Sequence, residues 1–292
     1  MAHELLSPVL DRAGRPSALK IATLLLLLAP GALLAARFIA GELGPRPLAE
    51  LNHLTGLWTL RLLFVTLAIT PLRSLLRWPK LIQIRRMVGV ATALYAVVHL
   101  ISYAADQAFK LDRVVDEILL RTYLTIGFAA LVGLLALLAT STDGMVRRLG
   151  GKRWRLLHRL VYVIGALGVV HFVWQSKLDV SQPTVMAGLL FWLLLYRLMD
   201  AWPGEKGRLP PWAAITLAPA VGLATAAGEG VYFWLRNGVD PSRVFLANLS
   251  LDAGLRPGWI VLAIVGGLAL IAVIRRGRRA REPARQVASA AE

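Results

Sequence analysis

The sequence predicts an all-α, polytopic transmembrane helix bundle of about eight spans with both termini in the cytoplasm. Three observations predict it. First, 57% of the 292 residues are hydrophobic and only 17% are charged, whereas a soluble domain carries about 45–50% and about 25%. The mean hydropathy is accordingly +0.61. Second, the apolar residues gather in runs of about 20, the length that crosses a hydrocarbon core. Third, Lys and Arg outnumber Asp and Glu by 33 to 17 and lie between those runs. On a water-soluble surface a net charge of +16 would suggest a polyanion partner. Between apolar runs it points to a membrane protein with lipid as its surroundings and excludes nucleic acid. The chain has no Cys, which excludes disulfides, zinc-thiolate sites, thiol catalysis and Cys-ligated iron–sulfur clusters.

The spans fall at about 19–40, 51–70, 87–105, 122–140, 156–175, 184–200, 212–235 and 257–274. The first is longer than the apolar core of a signal peptide and reads as retained. The seventh is interrupted by Gly228, Glu229 and Gly230. With the N-terminus inside, the cytoplasmic segments hold 22 Lys and Arg and the outer loops hold 8. That excess orients both termini inward. Trp78, Trp154, Trp174, Trp202, Trp212 and Trp259 fall at expected span ends, where an interfacial belt belongs. The loops are short. The longest outer one, about 236–256, carries Asn-Gly, Asp-Pro and Pro-Gly turn signals. The expected organisation is a cytoplasmic tail at 1–18, a six-helix domain at 19–200, two further spans at 201–274 and a basic tail at 275–292. The basic tail is expected to lie unstructured against anionic lipid.

Of five histidines, His3 sits in the N-terminal tail and has no expected role, while the others lie in or at the ends of spans. Ionisable residues there are costly and point to function. His99 lies 12 residues after Met87 in span three, and His171 lies 15 after Leu156 in span five. At about 1.5 Å per residue both reach a similar depth, about 18 and about 22 Å from the cytoplasmic side. Two imidazoles at matched depth on two helices can clamp one haem iron from both faces. Such a site carries electrons and leaves no position for oxygen. Val97-Val98-His99 repeats as Val169-Val170-His171, and Asp106 and Asp179 follow toward the outer face. Spans three and five therefore look like two copies of one helix. A lone intramembrane His more simply donates a hydrogen bond between helices, and the matched depth argues against that here.

His158 lies 13 residues before His171, a rise of about 19.5 Å, which suits a second haem stacked across the membrane. An ideal helix turns these two side chains about 140° apart, so one face serves both only if the helix bends. The matching inner position on span three is Arg85 or Arg86. A second haem would need another ligand, or an inner Arg would pair with a haem propionate or a flavin phosphate. A solvated place for His158 beside Lys152, Arg153 and Arg155 is the plainer alternative. His53, near the outer end of span two, is a candidate to cap the outer haem, relay a proton or face the interface. Arg61, deeper in that span, needs an anionic partner or a polar cavity, for which a propionate or a quinone headgroup is a candidate.

These residues sit in a pattern that resembles a family. Arg85-Arg86-Met87-Val88-Gly89, Tyr95-Ala96-Val97-Val98-His99-Leu100 and Ser102-Tyr103 are similar to the haem-binding membrane subunit of the bacterial periplasmic methionine sulfoxide reductase system (MsrQ, or YedZ). So are Arg121-Thr122-Tyr123-Leu124-Thr125, Thr140-Ser141-Thr142 and Leu149-Gly150-Gly151-Lys152-Arg153-Trp154. Leu157-His158-Arg159-Leu160-Val161-Tyr162, His171-Phe172-Val173-Trp174, Lys177 and, in span two, His53, Thr55-Gly56 and Thr70-Pro71-Leu72-Arg73 continue it. The resemblance covers about residues 19–200 and implies a ferric-reductase-like transmembrane fold in the bacterial inner membrane. It implies haem b, with His99, His158 and His171 at the ligand positions, and FMN. It also implies electron delivery to a periplasmic molybdopterin-containing methionine sulfoxide reductase subunit, from the quinone pool or a cytoplasmic flavin reductase. The departure is the pair of spans at about 212–274, which lack His and are expected to pack or to dock a partner.

Two other functions compete with an electron conduit. A stand-alone haem-containing ferric reductase would act on external iron, although no nucleotide-binding module with a G-x-G-x-x-G loop is present. A non-redox transporter or scaffold would carry no haem at all. The charge asymmetry yields its own test, made simple by the absence of native cysteine. Asp112→Cys should react with a membrane-impermeant maleimide added outside. Lys152→Cys should react only after permeabilisation, and the reverse pattern would invert the topology.

Overall fold

The computed structural model describes residues 9–11, 13–176, 179–201, 211–252 and 254–289, with side chains undescribed at 211, 212, 214 and 277–289. Expectations for His3, Lys177 and Trp202 fall outside these residues, as do Pro203, Gly204 and Pro210 near the start of the expected C-terminal pair of spans. Every regular element among the described residues is helical. They divide into two compact units, the first of residues 1–67 and 82–175 and the second of 68–81 and 176–292.

The first unit begins with α1 (Ala18–Ile39), entered through Ser17, whose hydroxyl accepts from the Lys20 backbone N–H. Pro30 lies inside α1. One turn of its ladder is bridged from outside: the Tyr95 hydroxyl donates to the Leu27 carbonyl (2.9 Å) and accepts from the Gly31 N–H (2.7 Å). A Cβ on Gly31 would stand 3.0 Å from that hydroxyl, so glycine makes the approach possible. Helix α2 (Pro47–Leu75) follows. After a short 3-10 turn at Pro79–Ile84, α3 (Arg85–Asp106) carries Tyr95 and His99. A turn with positive φ at Ala108 and Phe109 leads to α4 (Leu111–Leu120), an amphipathic helix where the sequence reading placed only a loop.

Helix α5 (Thr122–Ala139) packs closely on α8 (Leu160–Gln175). Gly133 of α5 leaves the space that the Ile164 side chain fills. Between them, α6 (Asp143–Leu149) and α7 (Gly151–Leu157) make a compact connection. Gly150 joins them at φ 73°, a conformation glycine adopts without steric cost. The expected fifth span therefore consists of two helices, α7 and α8, with His158 closing the first.

The second unit contains α9 (Ser181–Asp200), α10 (Pro211–Asn237), α11 (Pro241–Leu249) and α12 (Pro257–Ser289). Small residues let α10 and α12 touch along their backbones. Cβ atoms on Gly222 and Gly258 would each stand about 3 Å from the other residue's carbonyl. Close approach of small residues is the usual way helices gain packing energy in lipid, where burial of apolar surface gives no advantage. Ala226, Val261, Val265 and Ala269 are almost wholly buried.

Among the described residues, seven helical stretches are long and apolar enough to cross a membrane. The eight expected spans include one more, α10, an unbroken helix of 27 residues whose apolarity is diluted around Glu229. Glu229 is 2% exposed, and both its oxygens are used: Asn248 donates to Oε2 (2.6 Å) and Arg256 to Oε1 (2.9 Å). Asn248 also accepts from the Gly258 N–H. The carboxylate thus ties α10 to α11 and to the start of α12. The expected loop at 236–256 instead contains α11, because Asp240 caps it and Pro241 sits in its first turn. The tail from Arg275 continues as helix to Ser289, correcting the expected unstructured tail. Arg and Ala are strong helix formers, and an existing helix needs no new nucleus.

Removing Arg256 leaves a buried carboxylate without its cation. Arg256→Ala should cost on the order of 3 kcal/mol, read as a lowered melting temperature in detergent. An unchanged melting temperature would show that the pair contributes nothing to the fold.

Candidate electron-transfer site

The candidate side chains foreseen in the sequence all fall in the first unit. His99 projects from α3 and His171 from α8, and their ring centroids lie 6.3 Å apart with the planes inclined at 76°. Both line one apolar cavity with Leu57, Leu60, Leu131 and Ile164, and Asn52, His53, Tyr103, Tyr123 and Gln175 supply its polar lining.

Each imidazole is held from behind in the same way. His99 Nδ1 lies 2.8 Å from the Asn52 carbonyl oxygen of α2, and His171 Nδ1 lies 2.7 Å from the Tyr123 carbonyl oxygen of α5. A carbonyl oxygen only accepts, so Nδ1 carries the proton in both rings and donates. That leaves Nε2 of both as a lone-pair donor, the arrangement in which histidine binds a metal. Two bonds of about 2 Å to one metal, plus about 1.1 Å from each nitrogen to its ring centre, would set the centroids about 6.2 Å apart. The observed separation matches.

Among the described residues no group of three or more His, Cys, Asp or Glu gathers that would hold a metal ion. Two opposed imidazoles alone suit a metal whose remaining positions come from a planar macrocycle. Ser102 braces the arrangement by donating to the His99 carbonyl and toward the Asn52 side chain. The Tyr123 ring stacks on His171 at 26°.

His53 is exposed, yet it lines the same cavity and lies beside Phe172 with ring centroids 6.3 Å apart. Arg61 lies over the Trp58 ring at 5.0 Å and is not part of the cavity wall. A cation over an indole face is a favourable contact that the search for an anionic partner did not foresee.

His158 belongs to a different cluster. Its Nε2 lies 3.2 Å from the Thr140 hydroxyl, and its ring stacks on Trp154 at 3.9 Å. Trp154 in turn donates to the Thr140 carbonyl. Arg85 and Arg86 act electrostatically on His158, and Arg86 is paired with Asp143. That hydrogen bond and charge hold the Asp143 carboxyl below its usual value. The pair therefore stabilises the fold fully above the ordinary carboxylate value of 3.8, and this contribution is lost as pH falls through the lowered value.

What the sequence reading missed is the backing of each ligand. Asn52 and Gly56, and Tyr123 and Gly127, stand four residues apart on α2 and α5. A Cβ on Gly56 would stand 2.8 Å from His99 Cε1, and one on Gly127 2.7 Å from His171 Cε1. A glycine one turn after a polar residue was visible in the sequence, but its partner on another helix was not.

This fold and site define a polytopic helical membrane protein built around a pair of opposed histidines. The chain belongs to the MsrQ family. It is 45% identical over 202 residues to the protein-methionine-sulfoxide reductase heme-binding subunit MsrQ of Rhodospirillum rubrum, covering 68% of this chain and 95% of that one. The subunit of the same description from Herminiimonas arsenicoxydans is 44% identical over 178 residues, 60% of this chain and 82% of the other. That of Xanthomonas axonopodis pv. citri is 46% identical, covering 59% and 81%. Residues 55–169 match the family described as ferric reductase like transmembrane component. No solved structure matches the chain.

A metal held between the two rings would need both histidines. His99→Ala and His171→Ala should each abolish the reduced-minus-oxidised absorbance of bound haem in the purified protein. Retention of full absorbance by both variants would dissociate the pair from haem binding.

Proposed function

We propose that this chain is a b-type haem protein of the bacterial inner membrane that passes electrons outward to a periplasmic methionine sulfoxide reductase subunit. The observation that carries this reading is the opposed pair His99 and His171, each with Nδ1 committed to a backbone carbonyl and Nε2 free. The relatives' description as heme-binding subunits supports the cofactor and the partner.

Haem bound between the rings supplies a reversible one-electron iron couple. The chain's residues do the rest. His99 and His171 would hold the iron between them and leave no position open for oxygen. Leu57, Leu60, Leu131 and Ile164 exclude water and lower the local dielectric, a lever on redox potential. The carbonyls of Asn52 and Tyr123 raise the basicity of the imidazoles and hold their tautomer. Asn52, His53, Tyr103, Tyr123 and Gln175 would offer hydrogen bonds to a haem's carboxylates.

Electrons enter from the cytoplasmic side, from the quinone pool or a cytoplasmic flavin reductase. The cluster of His158, Arg85 and Arg86 is the candidate entry, as a place for a second haem or for FMN, whose phosphate the arginines would bind. His158 has Thr140 rather than a second histidine within bonding distance, which favours an anionic cofactor here over a second two-histidine haem. Arg61 serves packing against Trp58. The receiving partner is a molybdopterin-containing catalytic subunit. Residues 19–200 form the haem-binding domain, and 201–274 a packing or docking extension that precedes the basic tail.

A second reading, a stand-alone ferric reductase, is favoured by the family match over residues 55–169. The two separate in one experiment on dithionite-reduced protein. Reoxidation by the periplasmic reductase with methionine sulfoxide, and not by ferric chelates, is the expected result. Reoxidation by ferric chelates alone would favour the second reading.

A further inference from the structure

The two halves of the clamp are copies of one device. His99 is 47 residues from the carbonyl that holds it, and His171 is 48. In each half the carbonyl belongs to one helix, the imidazole to another, and a glycine follows the carbonyl residue by one helical turn. The carbonyl has two lone pairs, so it can serve both its own helix, where the glycine's N–H is the expected partner, and the imidazole. The missing Cβ is what lets the ring come that near. Cβ atoms at 2.7–2.9 Å from Cε1 and Nδ1 in both halves would push the rings off their carbonyls.

We infer that Gly56 and Gly127, together with the carbonyls of Asn52 and Tyr123, are positioning residues that hold the two imidazoles in crossed planes. The inference rests on haem ligation by His99 and His171 and adds the electronic structure of that site. Each carbonyl fixes the direction of one Nδ1–H and hence the rotation of one ring about its own axis. The two directions come from different helices, and the rings meet at 76°.

Crossed planes have a spectroscopic consequence. An axial imidazole interacts through its π system with the iron d orbital that lies across its plane. Coplanar rings act on one such orbital and split the pair, which gives a rhombic low-spin ferric signal. Crossed rings act on both and leave them nearly degenerate, which gives a highly anisotropic signal with a large maximum g value. An iron held this way needs no rearrangement of its ligand planes as it gains or loses an electron, because both rings are fixed from behind.

The test is electron paramagnetic resonance on the oxidised, haem-loaded full chain in detergent. The wild-type protein should show the large-g, highly anisotropic low-spin signal. Gly56→Ala and Gly127→Ala should weaken haem affinity about 10–100-fold, the usual effect of losing a group that orients a metal ligand. Haem that remains should shift its maximum g value. Gly89→Ala, on the helix of His99, would add a Cβ that meets only Thr66 at 3.6 Å and touches neither histidine nor the cavity wall, and it should bind haem normally and keep the wild-type signal. A b-type spectrum with a rhombic signal in the wild-type protein would overturn the inference while leaving the haem reading intact. So would glycine variants with wild-type affinity and signal. Absence of any b-type spectrum from the wild-type protein would overturn both. If the glycine variants fail to accumulate, the wild-type signal alone decides the question of crossed planes.

Discussion

The hydrogen bond from an imidazole Nδ1 to a helix carbonyl, made once by His99 and once by His171, is the contact on which the site depends. In lipid a polar ring without a partner is expensive. Here the ladder of a neighbouring helix supplies the partner, because a carbonyl already used by its own helix keeps a second lone pair. Desolvation is offset without introducing another side chain into the bundle. The same bond selects the tautomer that leaves Nε2 with its lone pair. Stability in the membrane and readiness for a metal thus come from one contact, and its geometry requires glycine one turn further along.

Other parts of the chain use glycine in the same economical way. Gly31 admits the Tyr95 hydroxyl to the ladder of α1. Gly133 admits Ile164 between α5 and α8, and Gly222 and Gly258 bring α10 against α12. Where lipid competes equally for apolar surface, specificity has to come from shape and from hydrogen bonds that have no alternative partner. Glu229 is the extreme case. A carboxylate at 2% exposure is tolerated because Asn248 and Arg256 satisfy both of its oxygens, and it fixes the mutual placement of three helices in the second unit.

Much of this was legible in the sequence, for identifiable reasons. A membrane span is set by length and apolarity, both one-dimensional quantities, so the positions of α1, α2, α3, α5, α9 and α12 followed from them. Depth along a helix is also one-dimensional, which is why His99 and His171 could be matched before any packing was known. Features that depend on who faces whom were not legible. The Trp58 ring beneath Arg61, the Thr140 hydroxyl at His158 and the carbonyls behind the ligands all required three dimensions. Short helices were missed where turn signals dominate. Asp240-Pro241 reads as a turn and proves to be a cap followed by a first helical turn.

The break between α7 and α8 shows how one local feature can separate two tasks on one span. An uninterrupted helix would turn His158 and His171 about 140° apart, and no single cofactor arrangement would serve both comfortably. Ending α7 at His158 releases that constraint. His158 then takes its bearings from Trp154 and Thr140, and His171 takes its own from Tyr123. Two histidines close in sequence thereby acquire unrelated surroundings, one apolar and opposed to another imidazole, the other beside arginines. One span thus offers two different surroundings at two levels. The sequence achieves it with a two-residue interruption rather than a second pair of helices.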